Sequence, residues 1–92
     1  MKKRIINRAL IEEIRLEGCT IGNDCLGCVD VDHVTTRGGG GNDVRENLMP
    51  LCRKHHTEKG QIAFSGMIKK YPEYFKWLLK FNRDDIIERA RR

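Results

Sequence analysis

The stretch from Val29 to Gly60, VDVDHVTTRGGGGNDVRENLMPLCRKHHTEKG, decides how this chain is read. Val29 to Val34 alternates, with Val29, Val31 and His33 on one side and Asp30, Asp32 and Val34 on the other, which predicts a short strand. Thr35 to Asn47 is polar and holds Gly38-Gly39-Gly40-Gly41, so it predicts a loop. Leu48 to Leu51 returns as a second short strand, and Pro50, with no N–H to give a sheet, confines it to an edge or a strand end. From about Cys52 the composition turns helical, with Gly60 as the expected stop. An Asp-His pair, an Asn and a His-His pair, flanked by cysteines, thus lie close together, and little else in the chain could do chemistry.

Upstream, residues 3 to 17 predict an amphipathic helix, with Ile6, Leu10, Ile11 and Ile14 on its apolar side and Gly18 at its end. Cys19 to Cys28, CTIGNDCLGC, has the composition of tight turns. Downstream, Phe64, Met67, Ile68 and Tyr71 keep helical spacing up to Pro72, which suits the first turn of a further helix with Phe75, Leu78 and Leu79 as its stripe. Asn82 is the expected cap of a last helix over 83–91, where Asp84 and Asp85 meet its positive end. Tyr74, Phe75 and Trp77 read as core.

A chain of 92 residues makes one domain and buries only about two-thirds of its unfolded surface, so a covalent or metal staple would help it. Cys19, Cys25, Cys28 and Cys52 are the candidates. The start, MKKRIINRALIEEIRLEG, lacks the apolar core of a signal peptide, which predicts a reducing cytoplasm, where clustered Cys and His bind zinc more often than they form disulfides. No apolar run approaches the roughly 20 residues of a membrane span. A net charge of +5 and a pI near 9.2 favour a polyanionic partner such as nucleic acid.

Cys52 and His55 are three apart at the start of a predicted helix, a spacing that lets both reach one ion and supplies half of a tetrahedral site. The other half comes from Cys19, Cys25 and Cys28. Cys25-x-x-Cys28 has the spacing of a zinc knuckle. Cys19 with Cys25 is the alternative, favoured because a turn has to be completed before the strand carrying Asp32 begins. Neighbouring helical residues are about 100° apart, so His56 does not share an ion with His55. Asp32, His33 and His56 would instead surround a second, open metal site. A divalent ion there can hold a phosphate oxygen while a neutral imidazole takes a proton from water, which is the chemistry of phosphodiester hydrolysis.

Asp32-His33, Asn47-Leu48 and Leu51-Cys52-Arg53-Lys54-His55-His56 resemble the three motifs of the HNH nucleases, whose active site is a ββα-metal hairpin and helix. The Arg37-Gly38-x-Gly40-Gly41-x-Asp43 loop is similar to that of small phage-associated members, and the resemblance covers residues 19–60. The tail GQIAFSGMIKKYPEYFKWLL is similar to the region that follows the nuclease motif in some of them. The resemblance implies His33 as general base, Asp32 and His56 as ligands of a catalytic Mg²⁺ or Mn²⁺, with Ni²⁺ or Zn²⁺ as other occupants, and Asn47 as the residue holding the loop. It implies Cys52 and His55 as ligands of a structural zinc.

Where some relatives carry a further His four residues after His56, this chain has Gly60, which leaves two protein ligands plus waters, a shell suited to a hard, hydrated ion. Arg37, Arg53, Lys54 and Lys59 are the expected phosphate contacts on double-stranded DNA. The expectation is a single α+β domain over 1–92: an N-terminal helix (1–18), a zinc-stapled ββα-metal core (19–60) and a helical extension (61–92). Its expected activity is metal-dependent DNA cleavage with weak sequence preference, of the kind used in phage packaging, mobile-element spread and host defence. The competing expectation is a zinc-stapled nucleic-acid-binding module without turnover.

Overall fold

The computed structural model describes residues 4–91 and is an α+β fold of four α-helices and a two-stranded antiparallel sheet. The first helix, α1 (Arg8–Arg15), begins later than expected. Its predicted start at Lys3 falls outside the described residues. Asn7 provides the N-cap, its side chain accepting from the Leu10 N–H at 3.0 Å, and Ile6 precedes the helix and is exposed rather than part of the buried stripe. The segment before the cap is bonded to the central loop: the Ile5 N–H donates to Asn42 Oδ1 at 2.7 Å, and the Asp43 N–H donates to the Ile5 carbonyl at 2.8 Å.

The predicted hairpin forms from β1 (Val29–His33) and β2 (Leu48–Cys52), in a register that pairs Asp30 with Leu51, Asp32 with Met49 and His33 with Leu48. Pro50 costs the sheet little, since with two strands both are edges. Cross-strand partners share a face. Asp30 and Asp32 therefore stand on the face of Leu51 and Met49, which are fully buried in one core with Met67, Tyr74, Trp77, Leu78, Ile86 and Ile87 of the later helices. Helix α1 packs against both strands and buries Ile14.

Helix α2 (Arg53–Lys70) follows β2 directly. Its first two N–H groups, which no helical turn can satisfy, donate to the cysteine loop: Arg53 to the Cys28 carbonyl at 2.8 Å and Lys54 to the Leu26 carbonyl at 3.0 Å. Gly27 permits this approach. Its φ is +85°, and a Cβ there would lie 2.7 Å from Arg53 Cβ. The expected stop at Gly60 does not occur; the helix runs through it and breaks at Ala63, with φ 64° and ψ 174°.

Pro72 opens α3 (Pro72–Lys80), as expected, but the face it buries is Tyr74, Trp77 and Leu78, while Leu79 is exposed. Asn82 does not cap the last helix, α4 (Asp84–Ala90). It sits at φ +56° and closes α3, its N–H donating to the Leu79 carbonyl at 3.2 Å and that of Arg83 to the Leu78 carbonyl at 2.8 Å. Asparagine serves both ends of helices, and here the left-handed closure prevails. No helix among the described residues is long and apolar enough to cross a membrane.

Candidate functional site

The loop before β1, the end of β2 and the first turn of α2 bring Cys19, Cys25, Cys52 and His55 together, with all four ligand atoms within 4.8 Å of one another. His55 Nδ1 lies 3.5 Å from Cys19 Sγ, 3.9 Å from Cys25 Sγ and 3.1 Å from Cys52 Sγ. A tetrahedral zinc, with bonds of about 2.3 Å to sulfur and about 2.0 Å to nitrogen, would separate a sulfur from the nitrogen by about 3.6 Å. The residues therefore fit such an ion. Cys28 is exposed and stands outside the cluster, which answers the open pairing in favour of Cys19.

The electrostatics of the cluster are those of a cation site. Burial, and after it the sulfurs of Cys19 and Cys52, push the Cys25 thiol up to about 12, the electrostatic cost of gathering thiolates that a divalent ion offsets. Burial also opposes ionisation of Cys52, but the backbone N–H groups of His55 and Leu26 aimed at its sulfur outweigh it, and its pKa falls. Burial lowers the pKa of His55, favouring the neutral ring that a metal requires. The ring is 1% exposed and meets Tyr71 edge to face, with centroids 5.2 Å apart.

His56 turns to a different neighbourhood. Its Nδ1 lies 3.1 Å from Asp30 Oδ2 and its Nε2 lies 3.3 Å from Asp32 Oδ1. Lys59, one turn on, places Nζ 2.6 Å from the other Asp32 oxygen, and Arg53 forms a two-point contact with Asp30 at 2.7 and 3.1 Å. The Arg53 guanidinium holds the Asp30 carboxyl below the usual carboxylate range against burial, with His56 adding to it. Within reach of the Asp32 charge, the Tyr74 hydroxyl is buried without a hydrogen-bond partner among the described residues, and burial, then that charge, raise its pKa.

A carboxylate can only accept hydrogen bonds, so the Nδ1 contact with Asp30 needs the hydrogen on Nδ1, and Nε2 would serve as an acceptor beside Asp32 only with its own hydrogen absent, as when a cation lies between them. Two acceptors 3.3 Å apart are spaced for a shared cation, since ligands of an octahedral Mg²⁺ at about 2.1 Å stand about 3 Å from each other.

His33 is not in that group. Although adjacent to Asp32, it bonds through Nε2 to Asp43 Oδ1 at 2.7 Å. Asp43 is 1% exposed; burial alone would raise its pKa, but His33, the Asn7 N–H and the charge of Arg4 outweigh that and keep the carboxyl low. Asn47 pins the loop between the strands: Oδ1 accepts from the Thr35 N–H at 2.7 Å, and Nδ2 donates to the Thr35 and Asn42 carbonyls, both at 3.0 Å. The loop closes so tightly here that a Cβ on Gly41 would lie 1.8 Å from the Thr35 carbonyl oxygen. Arg83, from the start of α4, reaches the same place, donating to Asn47 Oδ1 at 3.0 Å, the Glu46 carbonyl at 2.9 Å and Thr35 Oγ1 at 2.8 Å.

The structure thus joins Asp32 to His56, keeps His33 at the end of β1 and Asn47 on the neighbouring loop, and separates all four from the cysteine cluster. Of the expected phosphate contacts, Arg37 and Lys54 are exposed, whereas Arg53 and Lys59 are engaged with Asp30 and Asp32. Asp30, Asp43 and Arg83 were not singled out for a role from sequence. Asp30 could have been found, because residues two apart on a strand share a face. Comparison with protein-family models, curated proteins and solved structures finds no match.

Proposed function

We propose that this chain is a metal-dependent DNA endonuclease of the HNH type, with the β1–β2 hairpin and the start of α2 serving as a ββα-metal core. The observation that carries the reading is the convergence of Asp32 and His56, 3.3 Å apart, one residue from His33 and outside a separate cysteine-histidine cluster. Asp32 and His56 would hold the divalent ion, which when bound supplies a positive charge against the phosphate oxygens of the scissile group. His33 takes a proton from the attacking water, and Asn47 keeps the loop beside it in place. Lys59, now 2.6 Å from Asp32, would be released from it by a bound ion and be available to a phosphate. Arg37 and Lys54 extend the phosphate contacts into the minor groove. Such contacts position a protein without reading sequence, so cleavage has weak preference. The test is incubation of the zinc-loaded protein with supercoiled plasmid, with and without Mg²⁺ or Mn²⁺. Nicked or linear product is expected only with the ion, and intact plasmid with both ions overturns the reading.

A second reading draws on the ion pairs themselves. Arg53, Asp30, His56, Asp32 and Lys59 form a closed network in which each carboxylate already has a cation. Such a network suits a zinc-stapled nucleic-acid-binding module without turnover. It would bind DNA with a steep salt dependence, because each phosphate neutralised releases counterions, and would leave the plasmid uncut.

A further inference from the structure

Asp43 has no place in the function as set out above, yet few side chains here are more fully engaged. Its Oδ2 accepts from the Asn7 N–H at 2.9 Å, its own N–H donates to the Ile5 carbonyl at 2.8 Å, and Arg4 Nη1 stands 3.6 Å from its Oδ1. The carboxylate is fixed independently of His33, so the imidazole must conform to it. The remaining bond runs from His33 Nε2 to Asp43 Oδ1 at 2.7 Å. A carboxylate has no hydrogen to give, so Nε2 must be the donor. A neutral imidazole carries one N–H, which leaves Nδ1 with its lone pair free. Among the described residues Nδ1 has no hydrogen-bond partner, and it is not among the side-chain atoms shut away from solvent.

We infer that Asp43 is a positioning residue for His33, locking the ring as the Nε2–H tautomer so that Nδ1 is the nitrogen that takes the proton from water. The catalytic meaning of this assignment rests on the nuclease reading, whereas its geometry does not. The other two of the chain's three histidines give the contrast. His56 presents Nδ1, the opposite nitrogen from the one His33 uses, to its carboxylate partner Asp30. His55 turns Nδ1 to the sulfurs, and an ion held there would require its hydrogen on Nε2.

Replacing Asp43 by asparagine inverts this logic with almost no change in shape. The amide oxygen has to stay on the Asn7 N–H, so the amide NH₂ must face His33. Nε2 then becomes an acceptor and the hydrogen moves to Nδ1, the nitrogen needed as base. The experiment is a two-bond ¹H–¹⁵N imidazole spectrum of the full, zinc-loaded chain at about pH 8, above the ordinary histidine pKa of about 6.5, for wild type and Asp43→Asn, alongside plasmid cleavage by both. His33 is expected as Nε2–H in wild type and Nδ1–H in the variant, with the His56 pattern unchanged. Cleavage by the variant should fall by about 10²–10⁴-fold, the effect of removing or mis-protonating a positioned base, with the Mn²⁺ concentration for half-maximal rate unchanged. An Nδ1–H wild-type ring, or a folded variant whose His33 keeps the wild-type pattern, overturns the inference. Should the variant lose its zinc and fold, the wild-type spectrum alone decides. A wild type with the expected tautomer that leaves plasmid intact removes the nuclease reading and leaves the hold of Asp43 on the ring standing.

Discussion

His33 at the end of β1 and His56 in the helix behind it are both single imidazoles, and on the nuclease reading their partners give them different work. His33 faces Asp43 and is free of the Asp32 group, whereas His56 lies between Asp30 and Asp32. His33→Ala should therefore slow cleavage by about 10²–10⁴-fold while divalent-ion affinity stays near wild type. His56→Ala should lose both, and excess Mn²⁺ should restore part of its rate, because mass action refills a weakened site and cannot replace a base. Equal ion affinities in the two variants, measured by calorimetry, would refute this division. Lys59 gives a second handle on the same site. Its ammonium competes for Asp32 at 2.6 Å, and an ion pair worth about 1 kcal/mol corresponds to roughly fivefold in affinity. Lys59→Met should bind Mn²⁺ about that much more tightly. If the network is purely structural, the same variant gains no affinity and only loses stability to urea.

At the level of elements, the hairpin and the helix behind it were legible because each rests on a local signal: period-two alternation in β1, and Pro50 and Cys52 marking the end of β2. The helix breaks were not. Gly60 costs a helix something but meets open space in the middle of α2, so the chain runs through it, whereas the chain bends at Ala63, and Met67 beyond the bend is buried in the core with the later helices. An alanine at φ 64°, ψ 174° occupies a region that belongs to glycine. Ala63→Gly should accordingly stabilise the protein by about 1–3 kcal/mol, less any entropy the glycine returns to the unfolded chain, and the urea midpoint should rise. An unchanged or lower midpoint would mean the bend carries no strain. Asn82 was misplaced for a similar reason: one residue type can serve either end of a helix, and only the tertiary contacts of Arg83 show which.

For the molecule as a whole, the sequence allowed two zinc pairings and the fold allows one. Spacing alone could not choose, since Cys19, Cys25 and Cys28 all lie in turns; the choice comes from carbonyls of Leu26 and Cys28 that are spent on the first turn of α2 and hold the Cys28 thiol outside the cluster. Cys19→Ser should therefore lower zinc content, measured by elemental analysis, and Cys28→Ser should not. Structural zinc contributes on the order of 10–16 kcal/mol of apparent binding energy in small peptides, and this chain has a small core to set against its loss. A strong chelator should abolish the cooperative thermal transition of wild type and Cys28→Ser alike. A fold indifferent to chelation would show that the cluster is a set of buried thiols. The contacts of Asp43, a residue the loop motif already contained, and of Arg83 were beyond sequence reading because their partners lie 10 and 36 residues away, across loop geometry that no periodicity encodes.

The segment before α1 and the residue that opens α4 close on one loop: Ile5 and Asn7 on Asn42 and Asp43, Arg83 on Thr35, Glu46 and Asn47. A ribosome delivers these grips in sequence, the first before the loop exists and the last only after every metal-binding residue has already been made. A nascent chain can therefore fill its cysteine cluster while the loop that steadies His33 is still open on one side. Under the nuclease reading, a copy lacking Arg83 would keep the four residues of the cysteine-histidine cluster but not the grip that steadies the loop beside His33.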